Sequence, residues 1–178
     1  MTHIKTLSIL FILLLSCNAK KVSEAEAVQL SIEGCPEAGR CDVERFENSK
    51  ISMYEDTTGQ FYTKIEGAEN TNLYKITYSR KVDERIADAN YSEVIYFEME
   101  NDKKSQKLND QNLVEANLIY GRFCYCPGQT GYVAILSGSL DFKKKKNQTE
   151  IKLEIQPKNF PIKMDSLSIK GKIPQNLE

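Results

Sequence analysis

Histidine, tryptophan and long apolar runs are nearly or wholly missing from this chain. Its one histidine is His3, and tryptophan is absent. Any domain downstream of residue 16 therefore lacks imidazole. That excludes Ser-His-Asp and Cys-His nucleophilic catalysis. It also argues against catalytic zinc and non-haem iron centres, which lean on imidazole ligands. Net charge is small: 24 Lys and Arg stand against 25 Asp and Glu, a formal −1. Nucleic-acid binding needs concentrated positive charge, so no nucleic-acid partner is expected. The longest basic run, Lys143 to Lys146, reads as a solvated hairpin end, with contact to anionic lipid headgroups as the functional alternative. The longest apolar run, Ile9 to Leu15, falls well short of the roughly 20 residues that span a bilayer.

What is present at the amino terminus is an address. A basic residue, Lys5, precedes that apolar run, and small Ser16 follows it, the pattern of a secretory signal. The segment Leu14-Leu15-Ser16-Cys17 resembles the lipobox of bacterial lipoproteins. The resemblance implies a signal peptide over 1–16, cleavage after Ser16 and diacylglycerol on the Cys17 thiol. It makes the lipid bilayer a partner through acylated Cys17. One acyl chain holds a protein weakly, whereas two or three hold it durably. Asn18 stands where aspartate in such lipoproteins often signals inner-membrane retention, so the resemblance implies a lipid-anchored cell-envelope protein of the outer membrane. Residues 17–27 are small and charged after the cysteine and read as a tether.

Residues 28–178 read as a single all-β domain, long enough for its own core. Tyr74, Ile76 and Tyr78 alternate with Lys75 and Thr77; Ile95, Phe97 and Met99 alternate with Tyr96 and Glu98; Ile151, Leu153 and Ile155 alternate with Lys152 and Glu154. Leu167, Ile169 and Ile173 repeat the pattern, with Gly171 at the inward place between. A period of two marks strands with one face on a core and one in water, usually antiparallel. Turn signals at 56–59, 66–70, 127–131 and 146–148 separate them. The expectation is nine or ten short strands in an antiparallel β-sandwich or small barrel. A helix is conceivable over Gln106 to Ala116, against the propensity of its Asn and Asp residues.

Cys35, Cys41, Cys124 and Cys126 remain beside Cys17, and an exported chain with an even count suggests disulfide bracing. If Cys124 and Cys126 share one continuous strand, their Cα atoms lie roughly 6.5–7 Å apart, at the limit of about 6.8 Å for a bridge. That disfavours Cys124–Cys126, which needs a broken strand. It favours bonds tying the Cys35–Cys41 loop, where Pro36 and Gly39 suggest a turn, to the later pair. Each would close a loop worth roughly 4–5 kcal/mol in the chain-entropy model. A lone Cys35–Cys41 bond is the rival. A four-thiolate metal site would have C-x5-C and C-x-C spacing, unlike the C-x2-4-C knuckles of structural zinc, so no metal or cofactor is expected. A redox-active C-x-C is the functional competitor, with Arg122 as the cationic neighbour a reactive thiol wants.

Glu93, Glu98 and Glu100 could in principle pair for glycosidase work, but solvated strand faces are the default for carboxylates so numerous. Gly128 to Gly131 lacks the lysine and the strand-to-helix setting of a phosphate loop. Tyr120, Arg122, Tyr125 and Tyr132 form the candidate recognition patch for a protein or glycan partner, since tyrosine and arginine are favoured at interfaces. The whole chain resembles small all-β lipoproteins of the Bacteroidota. In that group, triplets such as Asp56-Thr57-Thr58 and Asp165-Ser166-Leu167 carry O-glycans, which makes Thr57 and Ser166 candidate acceptors. The expected function is a membrane-anchored, non-enzymatic binding or envelope-structural module. An exported thiol-disulfide protein using Cys124 and Cys126 is the alternative, and an inhibitor or immunity-type lipoprotein a third possibility.

Overall fold

Alternation organises two packed sheets in the computed structural model, which describes residues 30–176 other than 84, 87 and 147. The signal peptide, Cys17 and the tether lie outside the described residues. The strands are β1 (Ser31–Glu33), β2 (Gly39–Glu55), β3 (Phe61–Arg80), β4 (Tyr91–Glu100), β5 (Ser105–Asn109), β6 (Ile119–Cys124), β7 (Gly131–Ala134), β8 (Gly138–Lys145), β9 (Gln148–Ile155), β10 (Ser166–Gly171) and β11 (Gln175–Asn176). One sheet has the order β1-β10-β9-β8-β5 and the other β11-β2-β3-β4-β6-β7. All pairs are antiparallel except β11 with β2. The fold is an all-β sandwich with eleven strands among the described residues, and β2 and β3 are long.

The core lies between the sheets. Tyr74, Ile76 and Tyr78 of β3 and Ile95, Phe97 and Met99 of β4 meet Leu140, Phe142, Ile151, Leu153, Leu167 and Ile169 of the facing sheet, all buried. Tyr74 stacks on Phe97 with centroids 4.9 Å apart and meets Phe142 edge-on at 5.5 Å. The possible helix over 106–116 resolves into β5 followed by a 3-10 helix, Asp110–Ala116. That helix buries Leu113 and Ala116 and stops at Asn117, whose left-handed φ of 43° ends it.

The segment 66–70 is not a turn between strands but an irregularity inside β3. Pairing jumps from Glu47↔Asn72 to Ser49↔Gly67, so Asn48 alone faces four residues of β3. Asn48 and Asn70 adopt φ of 50° and 60°, values asparagine tolerates better than most side chains. Beyond this bend the β2–β3 ribbon folds back over the outer face of its own sheet. Ile51 is buried in one cluster with Val94, Tyr96 and Ile119, and Met53 and Ile65 pack against it. The ribbon also touches β7, three places from β3 in the sheet, which strands about 4.8 Å apart permit only if the ribbon doubles over. Glu98 Oε1 accepts hydrogen bonds from the Ile51 N–H at 2.8 Å and from Asn117 Nδ2 at 2.8 Å, and Asn117 Nδ2 also donates to the Ile51 carbonyl. The face carrying Tyr96 and Glu98, expected in water, is therefore covered here.

Both cysteine pairs bond locally: Cys35 with Cys41 (Cα separation 5.9 Å) and Cys124 with Cys126 (5.2 Å). This corrects the expected cross-links between the two segments. A strand continuous through Cys126 would hold the two cysteines too far apart, but β6 stops at Cys124. The Cys126 N–H then donates to the Cys124 carbonyl at 2.8 Å, a three-residue turn that shortens the Cα separation into bridging range. Cys35–Cys41 spans the turn by which the chain leaves one sheet and enters the other, with the Gly39 N–H donating to the Pro36 carbonyl at 3.2 Å.

Candidate functional site

The register of β4 and β6 assembles the site at the end of the sandwich that carries both disulfides. Tyr91 lies opposite Cys124, Glu93 opposite Arg122 and Ile95 opposite Tyr120, all on the inner face. Glu93 and Arg122 are thus charged residues at core positions, 0 % and 8 % exposed. This corrects the reading of Glu93 as part of a solvated face. Glu93 Oε2 accepts from the Met164 N–H at 2.9 Å, Oε1 from the Lys163 N–H at 2.9 Å, and Oε1 also from the Tyr91 hydroxyl. A buried carboxylate is tolerated where such donors replace water, so Glu93 pins the 156–165 connection to β4.

Arg122 works outward from the same floor. Its Nη1 donates to Gln129 Oε1 at 2.9 Å, and its Nη2 lies 3.8 Å from Cys126 Sγ. Thr130 Oγ1 donates back to the Arg122 carbonyl at 2.9 Å. Between these contacts runs Cys126-Pro127-Gly128-Gln129, closed by a bond from the Gln129 N–H to the Cys126 carbonyl at 3.0 Å. Pro127 and Gly128, with φ of 73° at the glycine, fit the central places of a type II turn. The Arg122 guanidinium also sits 5.3 Å from the Tyr91 ring centroid, with Arg80 at 5.4 Å and Lys163 Nζ at 5.9 Å. Burial, the Glu93 hydrogen bond and the Glu93 charge push the Tyr91 hydroxyl pKa up to about 12. Burial first, then the charge of Glu93, raises Tyr120 as well.

The four residues of the candidate patch do not share one surface. Tyr120 is fully buried and meets Phe160 edge-on at 6.2 Å. Arg122 is buried beneath the turn. Tyr132 lies on the opposite face of the sheet, against Phe123 at 5.1 Å and over Gly121, where a Cβ would meet its ring at 2.7 Å. Tyr125, at the tip between the two cysteines, is 76 % exposed. Cys124 and Cys126 are half-buried. Thr57, in the β2–β3 turn, and Ser166, at the start of β10, are both exposed.

Sequence reasoning named Glu93 but missed its burial, though the signal was there: it shares parity with Tyr91, Ile95 and Phe97. Chemically, the turn offers a disulfide with a guanidinium beside one sulfur and an exposed aromatic ring on a braced tip. Among the described residues, no group of three or more Cys, His, Asp or Glu could hold a metal ion, and no helix is long and apolar enough to cross a membrane. No family model, curated protein or solved structure matches this chain.

Proposed function

We propose that this chain is a lipid-anchored envelope protein whose sandwich serves as a non-enzymatic binding module, with the Cys124–Thr130 turn as its contact surface. The observation that carries this reading is the bracing of Tyr125. A ring 76 % exposed stands on a turn held by a disulfide, a type II turn and three side-chain bonds to or from Arg122 and Thr130. Rigid aromatic tips bind with little loss of conformational entropy, which is why they dominate contact energies at interfaces. The lipobox-like segment and the tether support anchoring. The protein or glycan partner then meets a domain held near the outer membrane.

The test is a photo-crosslinking residue in place of Tyr125 in cells of the native host. A discrete adduct that disappears when Arg122 is changed to Gln supports the module. The same adduct from a crosslinker placed at exposed Lys170, or none from position 125, contradicts it.

The contact between Arg122 Nη2 and Cys126 Sγ favours a second reading, an exported thiol-disulfide protein. A substrate thiolate would attack Cys124 Sγ, breaking the disulfide and releasing Cys126 as a thiolate beside the guanidinium. A second substrate thiolate would then displace Cys124, leaving the substrate oxidised by two electrons and the protein as a dithiol. Equilibration with dithiothreitol separates the two. A strongly oxidising couple that becomes less oxidising in Arg122→Gln supports the redox reading, and a couple unmoved by that change rejects it.

A further inference from the structure

The opposite end of the sandwich carries a different chemistry. Parity puts half-buried Lys144 in line with Leu140 and Phe142, on the inner face of their sheet and opposite buried Thr149 at the start of β9, and Lys146 follows in the turn just beyond β8. Arg45, opposite Tyr74 in the facing sheet, points into the same mouth. Arg45, Lys144, Lys146, Thr149 and Lys172 line a cleft of about 100 Å³ there. That is room for several waters. Among the described residues, no carboxylate lies within 4.0 Å of Lys144, Lys146 or Lys172, and Arg45 pairs only through Nη2, with Glu47 at 2.6 Å. Arg45 Nε and the fully buried Tyr74 hydroxyl make no hydrogen bond of good geometry, though the Arg45 charge acts on that hydroxyl, and Lys144 Nζ donates only to the Asn101 carbonyl at 3.4 Å. Arg45 and half-buried Lys144, with exposed Lys146 and Lys172 at the rim, bring four cations to one small space, an arrangement that repels itself until an anion enters.

We infer that this cleft is a binding site for a phosphoryl group. Arg45 supplies a planar fork suited to two oxygens, the lysines supply charge, and the Thr149 hydroxyl supplies a donor. A carboxylate brings one negative charge and two oxygens to these four cations, whereas a phosphomonoester brings nearly two charges and three oxygens. The cleft shares Lys144 and Lys146 with a broader basin of about 840 Å³ that also takes in Lys103, Lys104 and Lys145. A phosphorylated ligand larger than phosphate itself therefore has room for its remainder. The inference does not depend on the proposed contact turn, which lies at the other end, and it holds whether or not Cys17 carries lipid.

The chain enters β1 at this same end: Ser31 pairs with Lys170 and Gly171 with Thr149. A lipid headgroup and a free phosphate compound are the two sources of the chemistry, and one experiment separates them. The full-length chain in neutral detergent is melted with inorganic phosphate and with chloride at equal ionic strength, then in micelles doped with phosphatidylglycerol. Arg45→Gln and Lys144→Gln/Lys146→Gln are treated identically, which subtracts the general stabilisation that phosphate gives any protein. At saturation the wild-type Tm rises by about 5 °C more than that of either variant. A rise with phosphate marks a soluble source, and a rise only in doped micelles marks a headgroup. Thr149→Val, which keeps every charge, weakens binding several-fold and guards against a variant that fails for lack of folding. Equal shifts in wild type and variants, in both arms, overturn the inference.

Discussion

The two ends of this sandwich solve the problem of inward-facing charge in opposite ways. At the disulfide end, Glu93 is buried but satisfied by two backbone N–H groups and a tyrosine hydroxyl, and Arg122 is bonded through Nη1 to the turn above it, while its Nε and the Tyr78 and Tyr120 hydroxyls go without a partner. At the lysine end, Arg45, Lys144 and Lys146 line the same cleft, and among the described residues no carboxylate pairs with either lysine; Lys144 Nζ reaches only the Asn101 carbonyl, at 3.4 Å. The first end is built for rigidity, which suits the proposed contact turn, and the second holds uncompensated positive charge, which suits the proposed phosphoryl site.

The contrast predicts that damage to the two ends differs in sign. The largest effect is expected for Glu93→Ala, which strands two buried N–H groups and should cost about 3 kcal/mol in urea unfolding. Glu93→Gln, which keeps an acceptor, should cost clearly less; equal losses would mean that the site's donors matter little. Next, Cys124→Ser/Cys126→Ser should cost about 1–2 kcal/mol, because the closed loop is short. A loss of 4 kcal/mol or more would instead suit a long-range cross-link.

Alkaline pH probes the tyrosines. Tyr91 and Tyr74 both titrate near pH 12 in the folded chain, against an ordinary value of 10.0. The stability tied to keeping each hydroxyl protonated is fully present below pH 10. Above it the unfolded chain ionises first, so that stability is lost between pH 10 and about 12, by on the order of 2 kcal/mol for Tyr74 and less for the better solvated Tyr91. Tyr91→Phe should lower stability at neutral pH by removing the bond to Glu93, and should flatten its share of the alkaline loss. Tyr74→Phe should flatten a larger share at little neutral cost. The smallest effect is a gain: Lys144→Gln/Lys146→Gln should stabilise the phosphate-free protein by about 0.5 kcal/mol at low ionic strength, fading as salt rises. A loss there would show that those lysines hold the fold together.

The strands with strict alternation, β9 and β10 above all, are legible from sequence because each has one face on the core. The antiparallel pairing of β8 with β9 is legible for the same reason. The folded-back ribbon is harder to see, since nothing local in Ile51, Met53 or Ile65 says which surface they cover. A signal existed in β4, where Val94 and Tyr96 are apolar on the face opposite Ile95 and Phe97, the mark of a strand covered on both sides. The cysteine pairing turned on where β6 ends, and a difference of two residues reversed it. Arg122 was legible as the cationic neighbour of the pair. The lysine cleft was only half visible: the run 143–146 stood out, but its inward parity and the approach of Arg45 are tertiary facts.

If Cys17 is lipidated as proposed, the entry of the chain into β1 beside Lys170 puts the lysine end toward the bilayer and the Cys124–Cys126 turn away from it. The most direct measurement places an environment-sensitive fluorescent residue at position 125 or 145 of the lipidated protein in vesicles that carry a lipid-borne quencher. The account predicts strong quenching at 145 and almost none at 125. Equal quenching at both positions, or the reverse order, would contradict it.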